Sequence, residues 1–220
     1  MGKMIVIEGL DGSGKSTQIE ILRERLEKSG KKPFEIKLPY YSDESSTLVK
    51  MYLAGQFGSK PGDVNAYAAS VFFGADRYAS FKKYWSREYN GGRLILADRY
   101  TTSNAVHQMT KMDKSDWDSY CDWLFDFEYN KLGIPSPDCV VFLDMPVEIS
   151  QKLMSERYGG DEDKKDVHER DVGYLKSCYE AAKYAAEKLG WNVIKCSENG
   201  KARKIDDIAD DIYSCVMKNI

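Results

Sequence analysis

The feature that most constrains this chain is a glycine-rich loop inside the stretch "IVIEGLDGSGKSTQIEIL", residues 5–22. An apolar run precedes the loop, and apolar residues at helical spacing follow it. The loop reads G-x-x-x-x-G-K-S from Gly9 to Ser16, in the strand–loop–helix context that this motif requires. Its backbone N–H groups are expected to turn inward around a phosphate, next to the positive end of a helix dipole. The stretch therefore predicts a binding site for a nucleoside triphosphate.

The residue types in this loop suggest individual roles. Lys15 supplies a positive charge for the β- and γ-phosphates, and the Ser16 hydroxyl is a candidate ligand of Mg²⁺. We expect ATP to contact one continuous run of residues, Gly9, Leu10, Asp11, Gly12, Ser13, Gly14, Lys15, Ser16 and Thr17.

Alternating strand and helix patterns predict the fold. Short segments rich in Val, Ile, Leu or Phe, bounded by Gly, Pro, Asp or Ser, are typical of buried strands at 3–9, 33–39, 93–99, 138–145 and 191–197. Helical patterns lie between and after them, at 15–30, 45–54, 63–89, 102–109, 114–131, 147–156, 170–189 and 205–218. This alternation predicts an α/β fold with a parallel sheet and helices on both faces. No repeat or linker divides residues 1–220, so we expect a single domain.

Composition excludes several functional classes. The net charge of −3 shows no overall basic balance, so we expect no nucleic-acid partner. No apolar run is long enough to span a membrane, and Glu8 interrupts the candidate signal peptide. The cysteines are scattered without a CxxC pair, which indicates reduced thiols in a cytoplasmic protein.

The remaining motifs favour a small-molecule kinase. We find neither the base-reading element nor the switch motif of a GTPase, and a motor ATPase needs a longer chain. A phosphate acceptor needs extra cations, and the chain offers Arg77, Arg99, Arg157 and Arg170. A nucleoside kinase would need a carboxylate base at the end of the second strand, where "LPYY" has none. A protein that holds ATP without turnover is a further alternative, disfavoured by the intact Lys15, Ser16 and Asp98.

Four segments carry a resemblance to a known family: "EGLDGSGKST", "FFGADRYAS", "LADRYTTSNAVHQ" and "CVVFLDMPVEIS", in that order. The chain resembles the thymidylate kinases over almost its whole length. The resemblance implies a three-layer P-loop nucleotide kinase fold with five parallel strands, and a homodimer. It implies ATP- and Mg²⁺-dependent transfer of the γ-phosphoryl group to dTMP, which forms dTDP and ADP for dTTP synthesis. A kinase for another nucleoside monophosphate, or for a nucleoside, is the alternative.

The resemblance also implies roles for residues outside the loop. Arg99 would clamp the acceptor phosphate, and Asp98 would orient Mg²⁺ and its waters. The residues expected to bind dTMP are Asp11 at the 3′-hydroxyl, Phe73 stacked on thymine, Arg77 on the base or phosphate, Arg99, Asn104 at the ring edge, and His107 near the sugar 2′ position.

Two further features concern an arginine that this sequence lacks and a polar segment that is expected to form a lid. Relatives often have an arginine after the second strand, but "LPYYSDESS" has none, and Lys37 or Lys50 is a candidate substitute. The polar segment at about 156–170 is expected to form a short lid over an anionic ligand. Arg157 is the first catalytic candidate in this lid, ahead of Lys164 and Lys165, and completes a predicted catalytic set with Lys15 and Arg99.

Overall fold

The structure is a computed structural model that describes residues 1–58, 60–157 and 172–220. Its centre is a parallel sheet with the strand order β2-β3-β1-β4-β5. The strands are β1 Met4–Glu8, β2 Phe34–Lys37, β3 Ile95–Asp98, β4 Cys139–Asp144 and β5 Asn192–Lys195. A short antiparallel hairpin follows, formed by β6 Ser197–Glu198 and β7 Lys201–Ala202. The five predicted strands are confirmed, each within its predicted range.

Helices connect the strands as the periodicity predicts. They are α1 Lys15–Lys28, α2 Thr47–Leu53, α3 Ala66–Ser80, α4 Ser86–Asn90, α5 Thr102–His107, α6 Trp117–Phe125, α7 Val147–Arg157, α8 Val172–Lys188 and α9 Ile205–Met217. Two π-helical segments were not predicted: Phe81–Trp85 links α3 to α4, and Asp126–Lys131 extends α6. Within the described ranges, no helix combines the length and apolar composition needed to cross a bilayer.

The sheet separates two apolar cores. Met4 and Val6 of β1 point into the core that lies under α3, α5, α6 and α8. Ile5 and Ile7 point to the opposite face, where α1 and α9 cover them. Both faces of β1 are buried, which explains why its sequence is a continuous apolar run rather than an alternating one. The predicted three-layer α/β fold with a five-stranded parallel sheet is confirmed.

Candidate active site

The parallel register brings two sequence motifs together at the carboxyl end of the sheet. Ile7 of β1 lies opposite Asp98 of β3. Glu8 therefore ends β1 close to Arg99, which follows β3 directly. Ligands of open α/β sheets bind in the crevice at the carboxyl ends of the strands. The glycine-rich loop after β1 and the Asp98–Arg99 pair at the end of β3 share this crevice.

Backbone geometry explains the glycines of the loop. Gly12 and Gly14 have φ values of +76° and +87°, in the left-handed region that side chains disfavour. A Cβ atom at Gly12 would also lie 2.8 Å from Met154 Cγ and 2.9 Å from the Ser150 carbonyl oxygen. The loop therefore packs against α7 with no room for a side chain, and α1 begins immediately afterwards at Lys15.

Lys15 is buried within the loop. Its Nζ atom donates hydrogen bonds to the carbonyl oxygens of Gly9, at 2.7 Å, and Leu10, at 2.9 Å. Burial and the neighbouring Arg99 charge lower the pKa of Lys15 to about 8, although the Asp11 carboxylate, 3.8 Å away, works in the opposite direction. The ammonium group is thus poorly compensated, and an anionic ligand would stabilise its charge.

Asp11 and Arg99 join the loop to β3. The Nη2 atom of Arg99 donates a hydrogen bond of 2.6 Å to Asp11 Oδ1. Burial alone would raise the pKa of Asp11, but the charges of Arg99 and Lys15 outweigh it and hold that pKa below its usual range. For Arg99, burial alone would lower the pKa, but the carboxylates of Asp11 and Glu8 outweigh burial and raise it. Both groups therefore stay charged.

Glu8 is a site residue that the sequence analysis missed. Its side chain is fully buried and accepts hydrogen bonds from the Gly9 N–H, Thr102 Oγ1 and Ser103 Oγ, at 3.0, 2.8 and 2.7 Å. Arg99 Nη1 lies 3.4 Å from Glu8 Oε1. The sequence did hold a signal for Glu8, since it is a carboxylate at the end of an apolar strand, directly before the loop. Buried charges are costly unless they are paired, so such a carboxylate predicts a partner.

His107 contacts the same arginine. Its Nε2 atom lies 3.2 Å from Arg99 Nη1, and its Nδ1 atom lies 3.3 Å from the Tyr174 hydroxyl. A guanidinium group can only donate, so Nε2 is the acceptor of this contact. His107 thus helps to orient Arg99, a contact that the sequence analysis did not predict.

Arg77 lies deeper, in a bidentate ion pair with Glu128. Both contacts, from Arg77 Nε and Nη2, measure 2.6 Å, and the Glu128 side chain is fully buried. Thr101 Oγ1 and Asn104 Nδ2 also donate to this carboxylate, at 2.7 and 3.3 Å. The sequence analysis missed Glu128, which sits in the π-helical segment Asp126–Lys131.

A cavity of about 270 Å³ opens beside the loop. The structure places every residue predicted to bind dTMP on its wall: Asp11, Phe73, Arg77, Arg99, Asn104 and His107. The two neighbouring phenylalanines diverge, since Phe73 lines this cavity whereas Phe72 packs 5.4 Å from the Phe57 ring. Arg77 and Arg99 are the cations among the described lining residues, and neither Lys37 nor Lys50, the candidate substitutes for the missing arginine, is among them.

The two residues predicted to hold a metal ion lie near the loop. Ser16 is exposed at the start of α1. Asp98 ends β3, and its Oδ2 atom lies 3.5 Å from the ammonium group of Lys37, a side chain that is 74% exposed. Lys37 therefore pairs with Asp98 and does not reach the cavity wall.

The predicted lid cannot be placed. Lys164, Lys165 and Arg170 lie outside the described residues. Arg157 ends α7, but its side chain also lies outside the described part of the chain.

The fold and the site define a class: a P-loop phosphotransferase whose nucleotide loop adjoins a second cavity, lined by Arg77 and Arg99. Comparison with known proteins identifies the family. The thymidylate kinase family model matches residues 7–206. This chain belongs to the thymidylate kinase family.

Individual relatives agree with this assignment. A probable thymidylate kinase of Thermococcus gammatolerans is 32% identical over 160 residues, which cover 71% of this chain and 72% of the relative. The thymidylate kinase of Mycobacterium tuberculosis is 27% identical over 171 residues, or 77% of this chain and 78% of the relative. The solved structure of the Candida albicans thymidylate kinase has a similar fold, with a TM-score of 0.71 at 22% identity, over 99% of this chain and 92% of that one.

Proposed function

We propose that this chain transfers the γ-phosphoryl group of ATP to dTMP, forming dTDP and ADP. The observation that carries the proposal is the Asp11–Arg99 bridge, at 2.6 Å, between the nucleotide loop and the acceptor cavity. It places a cation where the two polyanionic substrates would meet. Family membership supplies the identity of the acceptor.

The chemistry needs charge stabilisation rather than a base. The acceptor phosphate is already anionic, so no residue has to remove a proton. Lys15 would hold the β- and γ-phosphates from within the loop, while Arg99 would neutralise the acceptor phosphate. We assign Arg157 to the same task from the lid, on the resemblance alone.

The donor set near the loop fits Mg²⁺. The Ser16 hydroxyl and the Asp98 carboxylate are hard oxygen ligands, and these two residues would hold the ion, partly through water. In the described part of the chain, no group of three or more His, Cys, Asp or Glu side chains is arranged for a metal ion. Magnesium in kinase sites takes most of its ligands from phosphates and water, so a sparse protein set suits it. When bound, the ion supplies neutralising charge to the β- and γ-phosphates.

The cavity wall supports a pyrimidine nucleotide. Phe73 offers an aromatic face for the base, and Arg77 and Asn104 offer polar atoms for its edge. Asp11 would accept from the deoxyribose 3′-hydroxyl with the lone pairs that Arg99 does not use. His107 lies on the sugar side of the same cavity in this assignment.

The rival activity, phosphorylation of a nucleoside, is disfavoured. It requires a carboxylate base free to take a hydroxyl proton. Among the described residues that line the cavity, the only carboxylate is Asp11, and Arg99 and Lys15 hold its pKa below its usual range. Such an acid is a poor base.

We also propose a homodimer of single-domain subunits in the cytoplasm. Tyr67, Val71 and Tyr78 form an exposed apolar stripe along α3, at spacings that put them on one face of the helix. An exposed apolar stripe of this kind is typical of a protein interface. The five cysteines are free, as expected for a reducing compartment.

The decisive experiment measures ADP release from Mg-ATP with dTMP, dUMP, UMP, CMP, AMP, GMP and thymidine in parallel. We expect turnover with dTMP far above the rest. Turnover with thymidine instead would move the protein to the nucleoside kinases. Absence of turnover with every acceptor would mean that the loop holds ATP for another purpose.

A further inference from the structure

The buried carboxylate of Glu128 has no assigned part in the reaction above. It is fully buried, yet it accepts four hydrogen bonds, two from Arg77, one from Thr101 and one from Asn104. Arg77 and Asn104 line the acceptor cavity, whereas Glu128 does not. The carboxylate therefore acts on the cavity through these two side chains.

Glu128 decides which way the Asn104 amide faces. Asn104 Nδ2 lies 3.3 Å from Glu128 Oε1. An ionised carboxylate can only accept, so the amide nitrogen must face it and the amide oxygen Oδ1 must face away. A flipped amide would set an oxygen against a buried anion, which is costly. Asn104 is thus fixed as a hydrogen-bond acceptor toward the cavity.

The same carboxylate leaves one part of Arg77 available. Nε and Nη2 of Arg77 are both bound to Glu128, at 2.6 Å. Among the described residues, none makes a hydrogen bond to Arg77 Nη1 or to Asn104 Oδ1. The cavity wall therefore presents a cationic donor, Arg77 Nη1, beside a neutral acceptor, Asn104 Oδ1.

We propose that Glu128 is a positioning residue that makes this site select a pyrimidine with an N3–H donor and a 4-keto oxygen, and reject a 4-amino pyrimidine. Thymine and uracil present that donor and acceptor to Asn104 Oδ1 and Arg77 Nη1. Cytosine presents the reverse pattern, an unprotonated N3 and an amino group, and both contacts become repulsive or unpaired. This inference rests on the proposed function, because it concerns the acceptor base.

The test is the isosteric variant Glu128→Gln, assayed with dTMP and dCMP. A glutamine can donate as well as accept, so it no longer dictates the orientation of the Asn104 amide. We expect the ratio of kcat/KM for dTMP to that for dCMP to fall at least about tenfold, since the polar mismatch that rejects cytosine is relieved. The KM for dTMP should rise, while the KM for ATP stays within about twofold of wild type.

Two further variants separate positioning from general damage. Thr101→Val removes one hydrogen bond to the same carboxylate but keeps its charge and its contacts with Arg77 and Asn104. Thr101→Val should destabilise the protein about as much as Glu128→Gln does. It should leave the ratio of kcat/KM for dTMP to that for dCMP within about twofold of the wild-type value. In an Asn104→Ala background, Glu128→Gln should change this ratio less than it does in the wild-type protein, because the part of its effect that passes through Asn104 is already lost and only the part through Arg77 remains.

An unchanged ratio in folded Glu128→Gln would overturn the proposal, and so would an equal loss of selectivity in Thr101→Val. If Glu128→Gln does not fold, the wild-type protein decides: it should use dUMP, which shares the base edge of dTMP, and use dCMP at least about 100-fold less well than dTMP. Equal use of dTMP and dCMP would contradict the inference. If no acceptor is turned over, the proposed function fails, and calorimetric binding of dTMP against dCMP then tests the base edge alone, equal affinity being the contradictory result.

Discussion

At the scale of single residues, Arg99 combines an unfavourable backbone with three charged or polar neighbours. Its φ of +67° lies in the left-handed region, which non-glycine residues rarely adopt. The contacts with Asp11, Glu8 and His107 hold the side chain in place despite this conformation. Strained residues persist where the surroundings over-determine them, and such residues cluster at functional sites.

A pair of substitutions separates the catalytic charge of Arg99 from its backbone strain. Both Arg99→Ala and Arg99→Gly should lower kcat/KM at least about 100-fold, because each removes a cation that stabilises the transition state. In urea unfolding, Arg99→Gly should be more stable than Arg99→Ala by roughly 0.5–1 kcal/mol. Glycine relieves about 1–2 kcal/mol of left-handed backbone strain, and this exceeds the cost of its greater chain entropy in the unfolded state. Near-normal activity would refute the catalytic role, and equal stability would refute the strain.

The pKa of Lys15 predicts a pH limit on ATP binding. Burial and Arg99 lower this pKa to about 8, while Asp11, Glu8 and Asp98 oppose the shift. The ammonium form binds phosphate, so ATP affinity should hold below pH 8 and decline as the pH rises through that value. Titration calorimetry between about pH 6.5 and 9.5 measures the decline. Lys15→Ala should bind ATP weakly and without this alkaline limb, and a flat profile in the wild-type protein would contradict the assignment.

At the scale of elements, the two π-helical segments determine what the long helices present. Asp126–Lys131 extends α6 and carries Glu128 to Arg77, a residue on α3 that is 51 positions earlier in the chain. A π-helical segment alters the rotation per residue, so side chains after it face a different direction. Apolar periodicity predicted a helix over 114–131 but not this change, because a segment of six residues is too short for its own period to show in the apolar pattern.

The exposed stripe on α3 predicts a dimer that one charge should break. Val71→Glu places a carboxylate in the stripe and should shift the sedimenting mass from dimer toward monomer. Val193→Glu is the matched control, because Val193 on β5 is 47% exposed and Val71 is 41% exposed. The control should sediment as the wild type does. A monomeric wild type, or an unaffected Val71→Glu, would count against the proposed homodimer.

At the scale of the whole molecule, the strand order places the glycine-rich loop and the candidate acceptor cavity side by side. The neighbours β1 and β3 are separated by 86 residues of chain between Glu8 and Ile95, yet their carboxyl ends lie together. Asp11 on one side and Arg99 on the other close the gap between loop and cavity. A change at this bridge therefore reports on both substrates, and the relative size of its effects tells which site the residue serves.

Asp11→Ala tests this division. The carboxylate lines the acceptor cavity and is assigned to the dTMP sugar, so the KM for dTMP should rise about tenfold or more, while the KM for ATP changes by no more than about threefold. Steady-state kinetics with each substrate varied in turn gives both values. Equal effects on the two substrates would place Asp11 in the architecture of the phosphate loop.

Local sequence determined the βα alternation and the phosphate loop, and the resemblance to the thymidylate kinases named six residues that the structure gathers around one cavity. The strand, helix and loop signals need no tertiary contact. These signals are local, because strand and helix periods and glycine-rich turns are written in neighbouring residues. Only the tertiary structure decided that Glu8 and Glu128 hold the arginines, and that His107 faces Arg99. A buried carboxylate and its partner meet through sheet register and helix packing, over separations of 51 and 91 residues, and no local pattern records such a pairing.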